Sequence, residues 1–254
     1  MVRAGSFRRK SDSKKILRWR CPRCAKSVSE ATGTACFGQN KRRVNSLLKK
    51  LFCSGVSQRR SAMILNIHPI TVARKLKFLA SVAQNKQNKL LEFYKKNKLS
   101  KIQFDEMETF EHTKLKPVSI ALAIADKSRK ILALEVSQMP AKGHLAEISI
   151  KKYGKREDHR PAAMKNLFNN LCQITNENCS FISDKNPKYP GWLRSVSLTW
   201  EHNTVKGRRG CIVGQGELKK VGFDPLFSLN HTCAMFRANV NRLIRRTWCT
   251  TKKI

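Results

Sequence analysis

The spacing of apolar residues changes character along this chain. Val44, Leu47, Leu48, Leu51 and Phe52 recur at helical intervals and predict a helix over residues 44–52. Ser54-Gly55-Val56-Ser57 interrupts that pattern, and Ser57 is placed to cap a second helix over 58–65. Asn66-Ile67-His68-Pro69 breaks the chain again, with His68 read as a structural turn residue. A third helix over 70–80 turns Val72, Leu76 and Leu79 inward and Arg74, Lys75 and Lys77 outward. Short helix, tight turn and basic helix form the helix-turn-helix pattern, whose last helix would enter a DNA major groove. Residues 84–101 are polar but keep Leu90, Leu91, Phe93 and Tyr94, and read as a helical connector.

Beyond residue 100 the period shortens. Strands are predicted over 102–110, 118–125 and 130–137, with a turn at 126–129 that makes them consecutive and antiparallel. Helices over 145–153 and 161–174 follow. A short buried strand over 181–184, a fifth strand over 196–200 and a long helix over 226–247 close the chain. Three strands, helix, strand, helix, strand, helix is a ribonuclease H-like order. The expected fold class is α/β, a mixed-sheet domain of that kind preceded by a small helical domain. The boundaries expected are a basic segment over 1–40, the helix-turn-helix domain over 41–83, the connector over 84–100 and the mixed-sheet domain over 101–254.

Charge narrows the partner. The 254 residues hold 52 Lys+Arg against 17 Asp+Glu, a net of +35, while 41% hydrophobic content excludes a wholly disordered basic tail. Such a balance points to a polyanion, double-stranded DNA above all, because Lys and Arg displace counterions from phosphates. A ribosomal-type RNA binder and a membrane-surface binder are the rivals, but no basic amphipathic helix with bulky apolar anchors supports the second. No apolar run reaches the ~20 residues of a membrane span, and no apolar stretch follows the basic N-terminus as a signal peptide would. A reducing, cytoplasmic setting is therefore expected, with nine cysteines as thiols or metal ligands rather than disulfides. Cys21-Pro-Arg-Cys24 has the spacing of a zinc knuckle, half of a tetrahedral Zn²⁺ site. Cys36 and Cys53 stand apart from it.

Acids are scarce, so their positions are informative. Asp105 falls on the first strand of the mixed-sheet domain and Asp184 at the end of the fourth. In the predicted topology these strands are neighbours at the sheet centre. Two adjacent carboxylates repel unless a hard cation lies between them, and Mg²⁺ or Mn²⁺ suits such a pair. Two ions about 3.5–4 Å apart would serve a phosphodiester reaction.

The residues that carry a family likeness are Phe104 through Phe110 (FDEMETF), Ser183-Asp184, Asn230-His231-Thr232, Arg237, Arg242-Leu243 and Arg245-Arg246-Thr247. Together they resemble bacterial insertion-sequence transposases with a zinc ribbon, a helix-turn-helix and a DDE-type catalytic domain, and the likeness covers most of the chain. Cys21–Cys24 with residues 27–31 is similar to that family's second zinc knuckle; ahead of Cys21 the sequence has neither Cys nor His. The resemblance implies a catalytic and Mg²⁺-binding set of Asp105, Asp184 and, in the place of the usual Glu, Asn230. An Asn can ligate an ion but adds no charge and cannot act as a base. Glu217, in a Gly-rich basic segment over 207–222 read as a mobile loop, is the first substitute, with His231, His202 and Glu201 behind it. His202 is also a candidate neighbour of the scissile phosphate.

DNA contacts are expected from Ser57, Gln58, Arg59, Arg60, Thr71, Arg74 and Lys75 in the helix-turn-helix. Arg237, Arg242, Arg245 and Arg246 would supply others from the last helix. Trp192 and Trp248 are candidates for base stacking and Trp200 for the core. The implied activity is binding of terminal inverted repeats, metal-dependent cleavage and strand transfer into target DNA, by a homodimer or larger assembly. The alternatives are a catalytically degenerate DNA-binding derivative and a structure-specific nuclease on the same fold.

Overall fold

The computed structural model describes residues 1–10, 12–206, 224–240 and 243. The chain divides into two compact units, 1–87 and 88–254.

The first unit opens with a three-stranded antiparallel sheet of β1 (Val2–Arg8), β2 (Lys15–Arg20) and β3 (Ser27–Ser29). Three helices follow: α1 (Val44–Cys53), α2 (Gln58–Ile64) and α3 (Pro69–Lys96). Ser57 caps α2, its Oγ accepting the Arg60 N–H at 3.3 Å and so pairing one of the orphan donors at a helix start. Asn66 takes a left-handed φ of 47° in the turn before α3, a conformation Asn tolerates better than most residues. Leu48, Ala62 and Val72, one from each helix, form the small core. Three short-range helical patterns in the sequence thus correspond to three helices that share one core. The last helix does not stop near residue 80. Residues 81–96 hold neither Gly nor Pro, so nothing terminates it, and it runs through the predicted connector to Lys96.

The second unit is mixed α/β, built on a five-stranded sheet. Its strands are β4 (Leu99–Phe110), β5 (Pro117–Ala125), β6 (Ile131–Gln138), β7 (Thr175–Asp184) and β8 (Glu201–Val205), in the spatial order β6-β5-β4-β7-β8. The first three pair antiparallel, whereas β7 is parallel to both β4 and β8. The helices of this unit are α4 (Leu145–Tyr153), α5 (Arg160–Leu171), α6 (Tyr189–Arg194) and α7 (Phe227–Asn239). With α3 extending into this unit from the first, the described residues hold seven α-helices and one short 3₁₀ turn at Cys172–Ile174.

One sheet face is covered by α5 and α6. Phe104, Phe168 and Phe181 pack there edge to face, with ring centroids 5.1–6.1 Å apart, a geometry that adds to the burial of the rings. The other face packs Met107, Ile120, Leu122, Ile124 and Ile182 against Leu226, Leu229 and Cys233 of the α7 region. Buried Gln103 clips α7 to the sheet: its Oε1 accepts the Leu229 N–H at 3.1 Å and its Nε2 donates to the Pro225 carbonyl at 3.1 Å.

Three predicted bounds shift. The fifth strand lies at Glu201–Val205, not 196–200. In the earlier stretch Thr199 Oγ1 donates to the Glu177 carbonyl at 2.7 Å, and Val196 and Trp200 pack against the aromatic core outside any ladder. The fourth strand begins six residues before the predicted 181, at Thr175, through a polar run of Asn176, Glu177 and Asn178 that carries no strand signature. The closing helix ends at Asn239, where Val240 turns extended at φ −99°, ψ 102°.

Candidate functional site: an acidic pair in a mixed-charge cleft

Register brings Asp105 and Asp184 together. β4 and β7 run parallel, and their last registered pair is Gln103 with Ile182. Two residues further along each strand stands an aspartate, on the same side of the two neighbouring strands. Both side chains line a cleft of about 270 Å³ together with Glu106, Glu108, Lys142, Arg160, Asn186, Tyr189 and Arg237.

Asp105 is half-buried and held on one oxygen. Its Oδ1 accepts the Glu106 backbone N–H at 2.7 Å and the Tyr189 hydroxyl at 3.0 Å. Tyr189 is 1% exposed and its ring stacks at 5.1 Å on Phe104, so the phenol is fixed by the core behind it. The protein's donors thus converge on Oδ1. Burial first, then the charge of Asp184, pushes the Asp105 carboxyl up to about 6. The Tyr189 phenol is raised well above its ordinary value by burial, then by Asp105, Glu106 and Asp184. Asp184 closes its strand, and its Oδ1 accepts the Asn186 N–H at 3.2 Å.

Cations surround the acids. Arg160 opens α5, 8% exposed, and grips Asp158 through two bonds of 2.8 and 2.6 Å. That bond chiefly raises the guanidinium above its usual value, and Glu106 and Glu108 add to the effect. Lys142 pairs with Glu108, and Glu106 accepts the Ser119 hydroxyl at 2.6 Å. Arg237 reaches the cleft from α7. One turn before it, the Cys233 thiol is pushed up to about 11, by burial first and by the charge of Asp105 second.

A divalent cation fits this donor set. Two carboxylates meet in a cleft where like charge and burial already disfavour ionisation, and Mg²⁺ is commonly held by one or two carboxylates with waters and substrate oxygens completing its shell. Among the described residues no group of three or more His, Cys, Asp and Glu is gathered as a ligand set.

The other expected site residues fall elsewhere. Asn230 is exposed and does not line the cleft; its Nδ2 donates to Asp224 Oδ2 at 2.7 Å. His231 turns to Arg129, whose Nη1 lies 3.1 Å from Nδ1. His202 sits on β8 with Nε2 2.8 Å from the buried Ser183 Oγ and its ring 5.7 Å from Phe104. Burial, then Arg194, lowers its pKa. Glu201, on the same strand, is exposed and lines no part of the cleft. Trp200 stacks on Phe181 at 4.6 Å as a core residue, and Trp192 packs against the same core. Glu217, Arg242, Arg245, Arg246 and Trp248 lie outside the described residues.

In the first unit, Gln58, Arg59, Arg60 and Arg74 are exposed and Thr71 is half-buried. Lys75 departs from its expected outward position. It is 5% exposed, and its Nζ donates to Asn45 Oδ1 at 2.7 Å, the Asn40 carbonyl at 3.0 Å and Gln39 Oε1 at 3.3 Å. All three ammonium protons are spent inside the protein, so Lys75 ties α3 to α1 and contacts no ligand.

Cys21 and Cys24 occupy a tight turn. The Cys21 N–H donates to the Lys26 carbonyl at 2.9 Å, the Ala25 N–H returns to the Cys21 carbonyl at 2.9 Å, and Ala25 is left-handed at φ 54°. Backbone N–H groups of Cys24 and Arg23 stabilise the Cys21 thiolate and lower its pKa. The 9–14 turn repeats this backbone with Arg9 and Asp12 in the places of the two cysteines and Ser13 left-handed at φ 55°. The pair can give two thiolate ligands to a zinc ion. Cys36 is bonded instead to Asn45, whose Nδ2 lies 3.6 Å from its Sγ.

Spacing alone did not reveal Tyr189, Arg160, Lys142 and Asn186. Asn186 and Tyr189 follow Asp184 at short intervals, but only the turn into α6 brings the phenol back onto Asp105. Compared with protein-family models and with curated proteins, the chain matches none.

Proposed function

We propose that this chain is a DNA transposase of the insertion-sequence kind, binding the ends of its element and cutting and joining DNA with Mg²⁺ or Mn²⁺ at Asp105 and Asp184. The observation that carries the reading is the placement of these two aspartates. They lie in register on adjacent central strands, within a cleft that also presents Arg160, Lys142 and Arg237. The sheet order and the switch from antiparallel to parallel pairing are compatible with a ribonuclease H-like domain, which supports the same reading.

A divalent ion bound there supplies the Lewis acidity that activates a water or 3′-hydroxyl and stabilises the leaving oxygen. The protein's own part follows from the geometry. Tyr189 and the Glu106 N–H orient Asp105 through Oδ1, and Asp105 would hold the ion together with Asp184. The Asn186 N–H orients Asp184. Arg237, Arg160 and Lys142 give the cleft the positive charge that a phosphodiester strand needs near four carboxylates. Asp105 must lose its proton to hold the ion, so proton and cation compete for the carboxylate and activity should fall as pH drops, less steeply at higher metal concentration.

The test is strand transfer on end-sequence DNA with Mg²⁺ or Mn²⁺. Asp105→Ala should reduce product by about a thousandfold or more, in line with loss of a catalytic metal ligand. Retained activity in that variant would sink the assignment. A second reading, a binding protein descended from such an enzyme, is favoured by one observation: Asn230 is tied to Asp224 and does not line the cleft. Specific retardation of end DNA by the wild-type chain, without cleavage in either metal, selects that reading.

A further inference from the structure

The first unit contains a larger cleft that the helix-turn-helix reading does not use. It measures about 730 Å³ and lies between the sheet and the 30–42 segment, lined by Arg9, Lys14, Lys15 and Arg42 with one carboxylate, Glu30. We propose that this cleft is a second duplex-binding site, taking backbone phosphates of the DNA that the exposed face of α3 engages. The inference rests on the reading of this chain as a DNA-binding protein.

Three observations carry it. The walls hold four cations against one acid, and Glu30 already accepts the Leu17 N–H at 3.4 Å. Arg42 is pre-oriented: its Nε donates to the Gln39 carbonyl at 3.0 Å, which fixes its plane and leaves its terminal amino groups for a ligand. Arg9 instead has its Nε and Nη2 paired with Asp12, so Arg42, Lys14 and Lys15 carry the site. A guanidinium fork held in place loses little entropy on meeting a phosphate. Finally, the wall is locked to α3. Lys75 of α3 donates to Gln39 and Asn40, which lie within the wall segment, and to Asn45 just beyond it. The cleft and the exposed Arg74 and Lys77 therefore belong to one braced unit.

The test uses the full-length chain and fluorescence anisotropy on end-sequence duplex across a salt series. Lys14 and Lys15 are exposed, so Lys14→Ala/Lys15→Ala should fold normally, checked by an unchanged melting curve; Arg42→Ala is the second variant. Each lost phosphate contact lowers the slope of log K against log salt by about 0.9, so the double variant should lose about 1.8 and Arg42→Ala about 0.9. The losses should be equal on end and random sequences, because phosphate contacts carry no sequence information. Unchanged slopes in both variants, with Arg74→Ala still weakening binding, overturn the proposal. A wild-type chain without preference for end sequence, whose slope still falls in the variants, defeats the transposase reading and leaves the phosphate site standing.

Discussion

Lys75 and Asp105 are both charged groups drawn out of solvent, and the two units treat them in opposite ways. Lys75 has three oxygen acceptors within 3.3 Å. Asp105 has two donors on one oxygen, while burial first and the charge of Asp184 second drive its pKa up. A buried charge with all its protons paired is a brace. A buried charge set beside another of the same sign is an arrangement that folding alone would not favour, and it marks a place where something else binds. In a chain with 52 basic residues, the same contrast explains why positive charge is a poor guide to the candidate site. Arg160 and Asp158 form a third, intermediate case. They are fully paired with each other and also present the guanidinium at the edge of the cleft.

Breaking each arrangement should move stability in opposite directions. The largest effect at the brace is expected from Lys75→Met, which leaves the acceptors of Asn45, Asn40 and Gln39 without their donor. Urea unfolding of this variant should show a loss of about 2–3 kcal/mol, the usual cost of unpaired buried polar groups. No loss would mean that Lys75 does not brace α3.

At the acidic pair the sign reverses and depends on pH. The folded state raises Asp105 from 3.8 to about 6, so between those values the folded protein binds more protons than the unfolded chain. Stability from this group is greatest below 3.8 and is lost as pH rises through about 6. The loss is at most about 3 kcal/mol, since a tenfold change in proton affinity is worth about 1.4 kcal/mol. Asp105→Asn should therefore match wild type in acid and be the more stable of the two at neutral pH without metal. A variant less stable at every pH would show that the carboxylate is a structural anchor.

The finest test touches only the orientation of that carboxylate. Tyr189→Phe keeps the ring stacked on Phe104 and removes the hydroxyl that lowers the Asp105 pKa. The acid limb of the cleavage profile should move slightly upward in pH, with a stability loss of about 1 kcal/mol. An unmoved limb with the same stability loss would reduce Tyr189 to a packing residue.

Much of the frame was legible in the chain. Ser57 announced a helix start that its hydroxyl does cap, and the apolar runs of β5 and β6 announced a buried sheet. Asp105 and Asp184 were legible because each stands at a strand position next to buried residues, Phe104 and Ser183. What stayed hidden depended on contacts far apart in sequence. Lys75 sits where helical spacing allows an outward face, and only Asn45 and the 39–40 segment draw it inward. Nothing in the polar half of β7 signals a strand; its registered pair there is Thr175 with Leu99 of β4, and the ladder with β8 begins at Ser180. Asn230 stands where the family likeness would put a ligand, yet its amide is bonded to Asp224, six residues away on the same segment. Tyr189 could not be tied to Asp105 by spacing, since 84 residues separate them.

On the proposed function, Asp105 and Asp184 together hold a divalent cation. Calorimetric titration of Mn²⁺ into the metal-free full-length chain at neutral pH, in parallel with Asp184→Asn, tests it most directly. A saturable site in the wild-type chain, weakened at least about tenfold in the variant, is the result expected for loss of one of two charged ligands. Equal binding by both proteins, or none by the wild type, would contradict the account.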